Sequence, residues 1–266
     1  MGMIEKLKRS LGGALLGILL LGAQPSYAQS GNGFPDERAA AAAFAADGSD
    51  LNRIALAMVK HKYALQFYNQ YRDAGDADAL RQSLGYLASA REIAPDSPEV
   101  WRLSAAMAYD MRDTPEFQDE AIASYTRLLA LEPTDIAARL SLIDLFIDDG
   151  QWEKAVENEE LLFLVNMSFA VDTVLDRMVY SYINAGLPHR GIQFFTRIKS
   201  LSPNLPAVSV AKAMLERSIG DHDASIASLA GVMLHPDAAD ELKTTVRKLM
   251  AHWQEAGPVE DEDALP

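Results

Sequence analysis

The chain has 266 residues, 49% of them hydrophobic, which is enough apolar material for a large folded core and excludes wholesale disorder. It carries 24 Lys+Arg against 38 Asp+Glu, a net charge of −14, and an acidic surface disfavours nucleic acid and anionic membranes as partners. There is no cysteine, so disulfides and a lipid-anchored N-terminal cysteine are both excluded.

Residues 1–28 read as a secretory signal peptide. Lys6, Lys8 and Arg9 precede a 13-residue apolar run, Leu11 to Ala23. Pro25 breaks it, and Ser26-Tyr27-Ala28 offers small residues at positions −3 and −1, placing cleavage before Gln29. The run is shorter than the roughly 20 residues a spanning helix needs. Residues 1–28 hold three basic residues and one acid, so the remainder carries 21 Lys+Arg and 37 Asp+Glu, a net of −16. The expected location is outside the cytoplasm, in a periplasm, with no membrane span after cleavage.

Residues 29–50 form an Ala-rich N-terminal segment. Asp36 to Ala46 suits a short helix with acids at its N-terminus, where the helix dipole favours them. Its apolar face is mostly methyl groups and needs something to dock on. Asp50 is placed to cap the next helix, Leu51 to Ala74, in which Leu51, Ile54, Met58, Leu65, Tyr68 and Tyr71 recur at helical spacing. Gly75-Asp76 ends it, and Ala79 to Ala94 makes an antiparallel partner stopped at Pro95.

Ser97-Pro98-Glu99 and Thr114-Pro115-Glu116 are helix starts, with proline where its missing N–H costs nothing. They open Trp101 to Met111 and Phe117 to Leu131, the latter stopped at Pro133. Asp135 to Asp148 pairs with Trp152 to Asn166, Thr173 to Ala185 with His189 to Leu201, and Ala207 to Ile219 with Ala224 to Leu234. Asp237 is placed to cap a more polar closing helix, Ala238 to Ala256, as the end of an array requires. The repeat domain is thus 51–256, and 257–266 is an acidic, disordered tail.

The pairs recur. Gly150 to Gly186 is 36 residues and Gly186 to Gly220 is 34. A period near 34 with two helices per unit marks a helical repeat array. Five positions after each turn glycine stands a small residue: Ala155, Gly191, Ser225, with Ala121 in the same role after a longer turn. A larger side chain there would push apart two closely crossing helices. Four residues on come Leu87, Tyr125, Phe195 and Leu229, and Pro95, Pro133 and Pro203 close the second helices.

Trp101, Tyr182, Gly186, Gly191, Phe195 and Pro203 together resemble the tetratricopeptide repeat (TPR) family over about residues 60 to 236. Glu159 departs from its pattern, standing where an aromatic belongs, and Met167 replaces a terminal proline. The resemblance implies an all-α fold: a right-handed α-α superhelix, a TPR-like solenoid of about five helix pairs plus a C-terminal capping helix. It also implies a protein-binding role, with first helices lining a concave groove. By register the groove side chains are Lys62, Asn69 and Arg72, then Arg102 and Tyr109, then Leu140, Asp144 and Asp148, then Asp176, Tyr180 and Asn184, and last Met214 and Arg217. The Lys/Asn clamp of chaperone-tail-binding TPR domains is not reproduced beyond Asn69.

No catalytic motif accompanies this. His61, His189, His222, His235 and His252 include no pair three or four apart, so no helical metal pair forms. There is no HExxH, GxSxG or P-loop. His189 and His222, beside turns, read as solvent-facing, and Glu157, Glu159 and Glu160 as a charged outer face. The expectation is a non-enzymatic scaffold without cofactor or metal that binds a protein or peptide partner in cell-envelope assembly. The alternative is a structural, homo-oligomerising subunit that pairs through Asp36 to Ala46 and Leu51 to Ala74.

Overall fold

The computed structural model describes residues 34–257, and these form thirteen α-helices and no strand. The leader assigned to residues 1–28, the segment 29–33 and the acidic run 258–266 lie outside them. The helices are α1 Pro35–Ala46, α2 Asp50–Ala74, α3 Ala77–Ile93, α4 Pro98–Asp110, α5 Pro115–Leu131, α6 Ile136–Asp148 and α7 Trp152–Val165. After these come α8 Met167–Thr173, α9 Leu175–Asn184, α10 Pro188–Leu201, α11 Pro206–Ser218, α12 His222–Met233 and α13 Asp240–Ala256.

Short-range chemistry sets the pairs. Gly150, Gly186 and Gly220 adopt φ of 70°, 68° and 79°, the left-handed conformation that a Cβ disfavours. Each is followed by the same closing bond: Gln151 N–H donates to Phe146 O, Leu187 N–H to Tyr182 O, and Asp221 N–H to Glu216 O, at 2.8, 2.8 and 2.9 Å. This six-to-one bond satisfies a carbonyl the helix end would leave bare, and it reverses the chain. Second helices begin on caps such as Asp76, which accepts from Asp78 N–H at 2.8 Å, and Asp221, which accepts from Ala224 N–H at 3.1 Å.

The close crossings are as the small residues require. Ser83, Ala121, Ala155, Gly191 and Ser225 are all buried. Ser83 Oγ donates to Ala64 O across the first pair at 2.6 Å. The apolar core is a row of clusters, each bridging successive pairs. Ala64, Tyr68, Leu87 and Met107 join the first to the second, and Ala105, Leu128, Leu145 and Ala155 join the second to the third. Ile143, Phe163, Tyr182, Phe195 and Leu215 join the third, fourth and fifth. Burying each of these large side chains contributes roughly 1.5–3 kcal/mol. First helices lie side by side, α2 against α4 and α9 against α11. The architecture is all-α and TPR-like: five helix pairs stacked in order.

Both ends are closed. α1 has no buried residue of its own and is held by what precedes and opens it. The Phe34 ring stacks on Tyr63 with centroids 3.7 Å apart, Asp36 accepts from Lys62 at 2.8 Å and from the Tyr63 hydroxyl, and Glu37 accepts from Lys60 and Tyr86, both at 3.0 Å. At the other end α13 seats Val246 and Trp253 against Ala213, Leu229 and Val232. Leu51, Ile54 and Met58 remain an exposed stripe on α2.

Three local expectations are corrected. The first helix of the fourth pair is not a single helix from Thr173: α8 and α9 meet at Val174, which is fully buried. With Met167 in place of a proline, Asn166 ends α7 and caps α8, accepting from Phe169 N–H at 3.2 Å, so the chain re-enters helix at once. The last helix starts at Asp240 rather than Ala238. Asp237 is not its cap: its N–H donates to His235 Nδ1 at 3.2 Å, within a turn anchored by His235 Nε2 on Pro203 O at 2.6 Å. Asp50 is the first residue of α2, and Ser49 is the capping position.

Candidate interaction surface

The first helices place a run of aromatic and charged side chains on one face, from the end of α4 across α6 to α9. Residues three or four apart on a helix share a face. Asp144 and Asp148 therefore stand one above the other on α6, as do Arg177 and Tyr180 on α9.

Tyr109 opens the run. It packs edge-on to Tyr125 with centroids 6.1 Å apart, and the Arg112 guanidinium lies 4.1 Å over its ring. Burial first, then the Asp144 charge, pushes the Tyr109 hydroxyl above its usual range. Arg112 also donates to Tyr109 O at 3.0 Å and lies 4.0 Å from Asp148. Beside it, Tyr68 donates to Asp110 at 2.6 Å.

Arg177 is the hinge of the middle section. One nitrogen pairs with Asp144 on α6, and Nε sits 3.3 Å from Glu159 Oε1 on α7. Glu159 is fully buried and also accepts from Ser181 Oγ at 3.2 Å. Its second carboxylate oxygen and Arg177 Nη2 are buried without a protein partner. Burial pushes the Glu159 carboxyl up to about 7, against the pull of Arg177 and Ser181. Burial likewise raises Asp144, with Arg177 opposing.

Past Arg177 the surface opens. Tyr180 is 53% exposed and meets Trp152, at the start of α7, edge-on with centroids 5.4 Å apart. Asp148 is 61% exposed, and Asp176 is exposed. Asn184 donates to Tyr180 O at 2.8 Å, which holds the end of α9.

The structure therefore brings Tyr109, Asp144, Asp148, Asp176, Tyr180 and Asn184 onto one stretch of surface. The other expected groove residues stand elsewhere or are engaged within the chain. Lys62 lies under α1, paired with Asp36 and 5.1 Å over the Tyr63 ring. Asn69 is half-buried and Arg72 exposed near the Tyr68 ring, toward the first pair. Leu140 is half-buried against the core. Arg102 is taken by Glu132 and by Asp135 at 2.8 Å, fastening α4 to the α5–α6 junction. Met214 is 40% exposed on α11. Arg217 stacks 5.6 Å over Trp253, contacts His222 and donates to Gly257 O, so it closes the end of the array.

Two sequence readings are overturned here. Glu159 and Glu160 do not form a charged outer face with the exposed Glu157. Glu159 lies in the interior, and Glu160 holds the Tyr182 hydroxyl at 2.8 Å and the Arg190 guanidinium at 2.8 and 2.9 Å. His222 is half-buried against Arg217, while His189 is exposed. Sequence reasoning does not single out Arg112, Arg177 or Trp152 as surface groups. The signal for Arg177 lay in Glu159 itself, since a carboxylate at a core position needs a cation from the next helix.

Among the described residues no group of three or more His, Asp or Glu is arranged to hold a metal, and no helix is long and apolar enough to cross a membrane. No family model matches the chain and no curated protein matches it. Several solved structures are similar, and two of them illustrate the likeness. One, titled "MamA RS-1 ArsTM double mutant", is 15% identical, with 70% of this chain and 96% of that chain covered and a TM-score of 0.41. The other, the P58(IPK) TPR domain, is 12% identical, with 83% of this chain and 74% of that chain covered and a TM-score of 0.28.

Proposed function

We propose that the protein is an interaction scaffold that docks an extended segment or helix of a partner protein on its first-helix face. The observation that carries this is the Trp152–Tyr180 pair in the middle of the array, its tyrosine exposed one turn past Arg177 on α9. Tyr and Trp at a surface give contact area at low ordering cost and a polar tip for hydrogen bonding, which suits recognition. The reading is binding rather than catalysis. The most displaced carboxyl, Glu159, is covered by Arg177 and Ser181 and serves to hold α7 to α9. The leader read in residues 1–28 and the acidic remainder support action after export, in assembly of the cell envelope.

A photo-crosslinking amino acid at Tyr180, compared with one at the exposed second-helix residue Thr196, tests this in cells. Capture of the same partner from position 180 and not from 196 is expected, on protein beginning at Gln29 by mass spectrometry. Equal capture from both positions refutes the docking face, and a retained Met1 refutes export.

A further inference from the structure

We propose that the docked segment is basic, and that one of its arginine or lysine side chains seats between the Trp152–Tyr180 pair and Asp148. This rests on the docking reading above and adds the chemistry of the partner.

The chain's own arginines show the mode. Along this face there are three successive places where an acid stands beside another acid or a ring. At the first, Arg112 lies 4.1 Å over Tyr109 with Asp148 at 4.0 Å. At the second, Arg177 joins Asp144 to the interior Glu159. The third has similar components, an aromatic pair on α7 and α9 with Asp176 one turn before Tyr180 and with Asp148 one turn past Asp144, the residue Arg177 pairs with, but among the described residues no cation lies over Tyr180 or Trp152, and none pairs with Asp176. Both arginines that could reach are committed. Arg112 is fixed on Tyr109 by stacking and by its bond to Tyr109 O, and Arg177 is fixed by two carboxylates.

Charge points the same way. The face presents Asp110, Asp144, Asp148 and Asp176 against Arg72, Arg112 and Arg177, with Arg72 at its α2 end beside Asp110 and away from Tyr180, on a chain of net charge −14. A cationic segment is drawn in by that field and an acidic one repelled. At contact, a guanidinium or ammonium group gains from the face of Trp or Tyr as well as from the carboxylate, which favours it over a neutral polar group.

The probes are two end-blocked octapeptides that alternate alanine or leucine with a charged residue, one with four arginines and one with four glutamates. The chain has three tryptophans, Trp101, Trp152 and Trp253, so its indole N–H resonances are few enough to follow singly. The arginine peptide is expected to move the Trp152 resonance and leave those of Trp101 and Trp253 in place. Asp148→Asn with Asp176→Asn is expected to weaken it by about three- to tenfold. Asp119→Asn with Glu157→Gln, which removes the same charge from exposed second-helix positions, is expected to change it less than about twofold. Equal weakening by the two pairs, binding of the glutamate peptide as well, or no binding of either overturns the basic-partner proposal. If a crosslink from Tyr180 still captures a protein in that case, the docking face stands and only its ligand chemistry falls. If that crosslink captures nothing, the docking reading itself fails.

Discussion

Gly191→Ala adds a single methyl group at a crossing with no room for one. A Cβ built at Gly191 would lie 2.7 and 2.9 Å from Tyr182 ring carbons, and closer still to Leu215 Cδ1. Neither neighbour can retreat. Tyr182 is fully buried, with its hydroxyl tied to Glu160, which Arg190 grips in turn. Leu215 is fully buried in the cluster that joins the third, fourth and fifth pairs. Overpacking of a tight core costs about 1–3 kcal/mol. Against it stands the gain of alanine over glycine inside a helix, roughly 1 kcal/mol. With three neighbour atoms inside 3.0 Å the overpacking cost lies in the upper part of its range, about 2–3 kcal/mol, so the net expected loss is about 1–2 kcal/mol, lowering the melting temperature by roughly 2–8 °C for a chain of this size. Gly85→Ala on α3 provides the matched control. That site is exposed with nothing within 4 Å of a Cβ, so only the propensity gain remains and stability rises by about 0.5–1 kcal/mol. Urea midpoints of the two variants and wild type decide it. A Gly191→Ala protein as stable as wild type, beside a Gly85→Ala protein that behaves as described, refutes the account of the crossing.

Glu159 makes stability depend on pH near neutrality. Its carboxyl is raised by burial from the ordinary 4.5 to about 7, so between those values the folded chain keeps a proton the unfolded chain has lost. The contribution of this group to stability therefore falls as pH rises from about 4.5 through about 7. Glu159→Gln should make the decline in urea midpoint between pH 5 and pH 8 shallower, and an unchanged slope would rule out Glu159 as its source. Phe34→Ala removes the ring stacked on Tyr63 and should cost about 1–2 kcal/mol locally, since Phe34 is half-buried. Hydrogen exchange should then show α1 amides losing protection while α6 to α10 keep theirs. Retained protection in α1 would mean that the ion pairs of Asp36 and Glu37 suffice.

Most of the fold was legible because it is written in local rules. The turn glycines, the prolines that open or follow helices, and the small residues at Ala121, Ala155, Gly191 and Ser225 each report a backbone or steric need within one pair. Boundaries failed where a tertiary contact outweighed the local signal, as where buried Val174 joins α8 to α9 and where His235, anchored on Pro203 O, holds Asp237 in its turn and away from a capping role. The surface was less legible. Helical register puts Tyr109, Asp144 and Tyr180 on one face, but it cannot say whether a charge on that face is free. Arg102 and Arg217 read as available cations, yet two carboxylates hold the first, and the Trp253 ring of α13 together with Gly257 O holds the second. Glu159 read as exposed because a charged run on a helix fits an outer face, and only the position of Arg177 on the next helix makes a buried carboxylate tolerable there.

The two unlike ends of the array bear on how such a gene can change in length. A stack of pairs that touch only their neighbours has no inherent number of units, and copying one interior period of about 34 residues adds a unit whose two faces already fit the units beside it. The ends do not share that freedom. A copy added before α2 would have to displace Phe34 from Tyr63, and one added after α12 would have to displace Trp253 from Arg217. Duplication and loss of units are thus expected between the first and last pairs, with the terminal helices travelling unchanged on either side.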